Sequence, residues 1–349
     1  MTENRADTPE EPVPVARRPG TQAGQHPGQA EAREAEQLPG SPPEQPPEAP
    51  PGPTRAGIVA VLGAPNAGKS TLVNRLTGAK VTIVSPKPQT TRFRVRAVLM
   101  HGRSQVVLTD TPGIFRPKRR LDRAMVAAAW TGAQDADMAL LVVDARAGLT
   151  EAVQAIVDRL RRGSPTLWLV LNKTDLLDTK RLLPLTAALN EQLTFAETFM
   201  VSAETGDGLE RLTAKLAETM PEGPWLFPED ELSDLNERML AAEIVREQIL
   251  RQTHEEVPHH ATVETESWQE RRDGSVRVDC TIYVGRASQK AILIGDGGAR
   301  IKEIGRRARE ELTRLLERRV HLFLNVKERP GWDEERARLR AIGLHEEEG

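Results

Sequence analysis

The feature that most constrains this chain is a glycine-rich turn, Gly63, Ala64, Pro65, Asn66, Ala67, Gly68, Lys69, Ser70 and Thr71. It follows the apolar run Ile58–Leu62 and opens a helical pattern. Two glycines, a lysine and a serine at this spacing, between strand and helix, predict a phosphate cradle. The glycines let backbone N–H groups wrap phosphates, and the helix N-terminus favours the negative charge. Lys69 is then expected at the β- and γ-phosphates of a nucleoside triphosphate, with the Ser70 hydroxyl on Mg2+. The bland alternative is a purely structural turn, which the strand–turn–helix placement disfavours.

Further short apolar runs follow at Val106–Leu108, Met138–Val143, Leu167–Leu171 and Phe199–Val201, with helical patterns at Glu151–Arg162 and Lys180–Leu193 between them. Uninterrupted runs of this kind fit strands buried on both faces of a mostly parallel sheet. Residues 55–222 are therefore expected to form a doubly wound α/β domain, with its ligand beyond the carboxyl ends of the strands.

The remaining motifs fall at those strand ends. Asp110, Thr111, Pro112 and Gly113 close the run Val106–Leu108. Asp110 is expected to act on Mg2+ through a water, and the Gly113 N–H on the γ-phosphate, so that the segment senses hydrolysis. Gln89, Thr90, Thr91 and Arg92 lie between the cradle and this turn. One of the two threonines is expected to close over Mg2+ when the γ-phosphate is present, and Thr91 is favoured over Thr90. Asn172, Lys173, Thr174 and Asp175 end the run Leu167–Leu171. The Asp175 carboxylate can accept from both N1–H and N2–H2 of guanine, donors that adenine does not present, so the buried pairing selects the base. Asn172 would brace the loop and the base, and the Lys173 stem would lie along the ring. Ser202 and Ala203 follow the last run, and the Ala203 N–H would donate to guanine O6. Many small GTPases carry a water-orienting glutamine directly after the D-x-x-G turn. This chain carries Ile114, which cannot hydrogen-bond water, so slow intrinsic hydrolysis is expected.

Composition bounds the rest. The net charge of −3 over 349 residues hides an asymmetry: residues 1–54 hold nine acids, four bases and 13 of the 25 prolines, with no aromatic residue. Such a segment cannot bury enough apolar surface to offset its ordering entropy and is expected to be disordered. The N-terminus lacks a signal-peptide pattern, and no apolar run approaches the ~18 residues of a membrane span. A lone cysteine, Cys280, excludes an intramolecular disulfide and a cysteine-based zinc site. The expectation is a cytoplasmic protein. After a linker at 223–234, residues 235–349 read as helix, strand, turn, strand, short helix, glycine loop, helix, strand.

The five motifs, with the phrases Pro88-Gln89-Thr90-Thr91-Arg92 and Ser202-Ala203-Glu204-Thr205-Gly206, resemble the Era family of bacterial GTPases over about residues 55–345. The resemblance implies a P-loop G domain followed by an α+β type II KH domain. It implies a GTP/GDP cycle with Mg2+ held by Ser70, Thr91 and Asp110, and with Lys69 and Thr91 as the catalytic side chains. It further implies action in small ribosomal subunit maturation, with the KH domain on the 3′ end of small-subunit ribosomal RNA, as a monomer. Gly295, Asp296, Gly297 and Gly298 fit the KH clamp, a short loop that brings helix ends to a nucleic-acid backbone. From Arg286 to Arg329 there are twelve Lys or Arg and six Asp or Glu, a local surplus of +6. Lys290, Arg300, Lys302 and Arg306 flank the loop and are the expected phosphate contacts. Asp296 departs from the basic residue more usual there. The basic C-terminal face also suggests a peripheral contact with the inner face of the cell membrane, though no amphipathic anchor accompanies it. His259 and His260 lack a sequence-positioned third metal ligand, and Trp268 and Trp332 read as core before base-stacking residues. The competing readings are a scaffold that holds nucleotide without turning it over, and a tRNA-modifying GTPase, whose chemistry needs further domains.

Overall fold

The structure is a computed structural model that describes residues 52–344 apart from 164, 255 and 256. The tail expected at 1–54 therefore lies almost wholly outside the described residues. Strand β1 (Arg55–Leu62) enters the cradle and leads into helix α1 (Lys69–Thr77). Strands β2 (Val95–His101) and β3 (Ser104–Asp110) form a hairpin, followed by α2 (Arg120–Gln134), β4 (Met138–Asp144), α3 (Glu151–Leu160) and β5 (Thr166–Asn172). Helix α4 (Leu182–Asn190), β6 (Glu197–Met200) and α5 (Leu209–Thr219) complete the domain. The sheet order is β2-β3-β1-β4-β5-β6, parallel except for the antiparallel β2–β3 pair.

Successive residues of a strand point to opposite faces, so β1 divides two cores. Val59 and Val61 pack with Leu72, Leu212 and Leu216 on one side. Ala60 and Leu62 pack with Ile156, Leu169 and Leu189 on the other. The central strands are buried on both faces, which is why they were legible as apolar runs. Strand β2 was not, because Arg96 and His101 interrupt its apolar residues at the sheet edge.

The second domain opens with α6 (Glu237–Gln252) and the hairpin β7 (Ala261–Glu270) and β8 (Val276–Val284). Helices α7 (Ala287–Ile294) and α8 (Ala299–Leu315), strand β9 (Val320–Glu328) and the short helix α9 (Arg336–Ala341) follow. The sheet β7-β8-β9 pairs antiparallel, then parallel. Val276, Val278, Cys280 and Ile282 alternate inward against Ile244, Ile304, Ala308 and Leu312.

Two features depart from beads on a string. Ile83, Phe93, Leu121 and Met125 of the first domain belong to the same buried cluster as the core of the second. The segment expected to be a linker is fastened to the first sheet at β3 and at the edge strand β2. Gln105 Oε1 accepts from the N–H groups of Leu226 (2.8 Å) and Phe227 (2.9 Å), and Val98 N–H donates to Leu232 O at 2.9 Å. Residues 232–234 thus pair with the edge strand β2, whose free N–H and C=O groups would otherwise be open to pairing.

Candidate nucleotide site and nucleic-acid interface

The cradle is held open by its own lysine. Lys69 is buried, and its ammonium donates to Gly63 O (3.2 Å) and Ala64 O (3.1 Å). Burial lowers its pKa to about 8, opposed by the carboxylate of Asp110. Three oxygen-bearing side chains converge beside it. Ser70 Oγ lies 2.8 Å from Thr91 Oγ1 and donates to Asp110 Oδ2 at 2.7 Å, and Thr91 Oγ1 donates to the same oxygen at 3.1 Å. Asp110 is fully buried, its pKa is raised by desolvation, and its Oδ1 has no hydrogen-bond partner. An orphaned carboxylate oxygen with two hydroxyls is a hard, oxygen-only donor set, which fits Mg2+. Thr91 therefore sits with Ser70 and Asp110, whereas Thr90 Oγ1 bonds within its own loop, to Lys87 O at 2.8 Å.

The base end is stitched by Asn172. Its Nδ2 donates to Ala67 O (2.9 Å) and its Oδ1 accepts from Ala203 N–H (3.0 Å), which ties cradle, base loop and the loop after β6 together. Gly68 makes this possible: at φ 91° it is left-handed, and a Cβ there would stand 2.3 Å from Asn172 Nδ2. Lys173 Nζ crosses to Asn66 O (2.6 Å) and Asp144 Oδ2 (2.7 Å). Asp175 is exposed in a 3-10 turn, Thr174–Leu176, whose Thr174 N–H donates to Val201 O. Ser202 is buried and accepts from Thr205 N–H. Thr111 is buried with its hydroxyl on Val61 O, Pro112 is buried beside it, and Gly113 packs so closely on Pro65 that a Cβ would meet it at 2.8 Å.

The glycine loop between α7 and α8 contains three left-handed glycines; Gly297 (φ 56°) has nothing within 4 Å of where a Cβ would lie. Asp296 and Gly297 are exposed, as an approach to a backbone requires.

Residues 58–173 match the family described as 50S ribosome-binding GTPase, and residues 256–333 match the KH domain family. The GTPase Era of Afipia carboxidovorans is 55% identical over 292 residues, which is 84% of this chain and 95% of that protein. That of Rhizobium meliloti is 53% identical, over 84% of this chain and 93% of the relative. The chain belongs to the Era GTPase family. Two solved Era structures align at a TM-score of 0.79 and 38% identity, over 83% of this chain and 99% of theirs. One is an Aquifex aeolicus Era variant bound to GDP and aluminium tetrafluoride; the other is Era in complex with MgGDPNP and nucleotides 1506–1542 of 16S ribosomal RNA.

Within this Era-family frame some expected contacts are already occupied. The Ala203 N–H assigned to guanine O6 serves Asn172. Arg306 pairs with both Glu303 and Glu310 at the surface, and Arg300 donates to Ile292 O at 2.7 Å, closing the end of α7. Lys302 is exposed and Lys290 half-buried, with no ion pair to either among the described residues. Trp332 is core, its Nε1–H on His260 O, and Trp268 is half-buried. Among the described residues no group of three or more His, Cys, Asp or Glu could hold a metal, and no helix is long and apolar enough to cross a membrane. Asp144 went unread in the sequence. Burial alone would raise its carboxyl, but the hydrogen bond from Lys173 and backbone N–H groups at Ala147 and Arg146 hold it below the usual range. An acid ending a buried strand one residue before a turn was the available signal.

Proposed function

We propose that this Era-family chain is a slow GTP-driven switch whose nucleotide state sets its hold on small-subunit ribosomal RNA during subunit maturation. One observation carries the reading. Three consecutive residues connect the metal site to the KH domain. The Thr91 hydroxyl joins Ser70 and Asp110. The carbonyl of Thr90 accepts from the Arg246 guanidinium on α6. The guanidinium of Arg92 donates to Ala261 O at 2.8 Å, at the start of β7. Release of Thr91 would move both neighbours, and with them the seat of the KH domain. The same loop is fastened at Val84, whose N–H donates to Glu247 Oε1 (3.0 Å), and at Lys80, which pairs with Glu247 (2.5 Å) and Glu311 (2.8 Å).

In this reading Lys69 neutralises the β- and γ-phosphates, and Ser70, Thr91 and Asp110 hold Mg2+, which when bound neutralises charge on the transferred phosphoryl group. Asp175 selects guanine, Asn172 and Lys173 hold the base loop in place, and Gly295–Gly298 with Lys290 and Lys302 meet the RNA backbone. Ile114 is buried, its N–H on Gly63 O, so it lends no group to the attacking water. The working unit is a single chain in the cytoplasm, and co-sedimentation with anionic vesicles tests whether its basic C-terminal face also adheres to a membrane.

A ligand shifts an equilibrium only by its differential affinity for the two states. RNA should therefore bind more tightly with a non-hydrolysable GTP analogue than with GDP. Equal affinity in both states would sink the switch, and absence of GTP turnover with and without RNA would favour the scaffold reading.

A further inference from the structure

The KH sheet buries one face against α6 and α8, and its other face is covered more fully at one end than at the other. At one end Thr281 and Tyr283 are buried, with the Arg338 guanidinium of α9 3.8 Å from the Tyr283 ring centroid and paired to Glu264. At the other end the register places Arg277 beside His321 and Asp279 beside Phe323; the first three are half-buried and Phe323 is exposed. Phe323 is 48% exposed, the one large hydrophobic side chain standing out from this face. The Arg277 guanidinium lies 4.6 Å from its ring centroid and is held there by two 3.0 Å bonds to Asp279.

Cationic residues rim this less covered end. Arg271 and Arg272 are exposed in the β7–β8 turn, and Arg319 is exposed at the start of β9. Backbone bonds from Arg271 N–H to Ser275 O (2.8 Å) and from Val276 N–H to Arg319 O (3.0 Å) bring them to one edge. The acid of that turn, Asp273, is engaged by the Ser275 N–H and hydroxyl.

A protein partner would need an apolar core to the patch, and here a single aromatic stands among polar groups. An aromatic ring on a sheet, backed by a guanidinium plane and flanked by cations, has instead the chemistry that stacks an unpaired base and holds its phosphates. We propose that the less covered end of the KH sheet is a second contact for single-stranded RNA, with a base stacked on Phe323 and phosphates on Arg271, Arg272 and Arg319. It is separate from the glycine clamp. The clamp opens α8 and the rim lies beyond its C-terminal end, so the helix of 17 residues sets them about 25 Å apart. The proposal rests on the reading of this chain as an RNA binder.

The test uses the full chain with a GTP analogue and two single-stranded oligoribonucleotides. One has about four nucleotides, which the clamp alone can hold, and the other roughly 16. Phe323→Ala should weaken the long oligomer by about five- to a hundredfold, the loss of one base–aromatic stack, and leave the short one unchanged. Phe323→Trp should retain the long-oligomer affinity, and Arg271→Glu with Arg272→Glu should weaken it and flatten its salt dependence. Gly297→Asp should weaken both oligomers. Wild-type affinity of Phe323→Ala for the long oligomer overturns the proposal and leaves the face to a protein partner. Wild-type affinity of Gly297→Asp for the short one overturns the clamp assignment instead, so the two failures are distinguishable.

Discussion

The carboxamide nitrogen of Asn172 occupies the space that a side chain on Gly68 would need, 2.3 Å from an ideal Cβ. The cradle and the base loop are therefore interlocked, and neither can be changed alone. Gly68→Ala should displace Asn172, release Ala67 O and Ala203 N–H, and force a side chain into a left-handed conformation costing about 1–2 kcal/mol per residue. Guanine-nucleotide affinity, read by equilibrium dialysis, should fall by at least about tenfold, as expected if 1.4 kcal/mol or more of positioning is lost.

Asp175 projects from the turn with its carboxylate exposed. Asp175→Asn should shift preference from guanine toward xanthine, which presents a carbonyl where guanine has its amine. Competition between the two nucleoside triphosphates is the measurement, and unchanged base preference would remove Asp175 from the site.

Arg92 is buried, its guanidinium donating to Ala261 O and, at 3.4 Å, to His259 O. Arg92→Ala would leave carbonyls unpaired at the seam of the two domains, at a cost of about 1–3 kcal/mol. Nucleotide affinity should hold while the difference in RNA affinity between GTP-analogue and GDP states shrinks. Retention of that difference would break the proposed tie.

Ile114 packs against the core that contains Leu62, Ala129 and Val143. Ile114→Gln, which restores the glutamine of faster GTPases on paper, should bury a carboxamide at a cost of roughly 1–3 kcal/mol. Single-turnover GTP hydrolysis should not accelerate, because the side chain is buried in that core.

Asp122, near the start of α2, is buried, which by itself would raise its pKa. Bonds from Arg119 N–H, the Arg119 guanidinium and Lys118 N–H outweigh burial and lower it. A folded-state pKa below the unfolded value of about 3.9 contributes stability that is complete above that pH and disappears as pH falls through the folded value. Asp122→Asn should thus cost about 1 kcal/mol at neutral pH. Denaturation melts at decreasing pH should show the two proteins starting to converge below about pH 4 and coinciding only below the folded-state value.

The nucleotide motifs were legible because each is local chemistry. A phosphate cradle needs glycines and a lysine within eight residues, and a guanine selector needs a carboxylate at a strand end. The parallel strands were legible for the same reason, since burial on both faces leaves an unbroken apolar run. The clamp was legible as glycines, but its charge was not. Arg306 lies four residues from Glu310 and three from Glu303, a spacing that pairs them on one exposed helix face, which a net count of charges does not reveal.

By itself the sequence determined that this chain holds a guanine-nucleotide cradle followed by a KH unit, because those identities depend on residues close together in the chain. Only the tertiary structure decided that the two share a core and are hydrogen-bonded to each other. Thr90 and Arg246 are 156 residues apart, and Arg92 and Ala261 are 169 apart. No local pattern marks such pairs; what joins them is a shared apolar core that brings buried guanidiniums against backbone carbonyls, where each must find a partner.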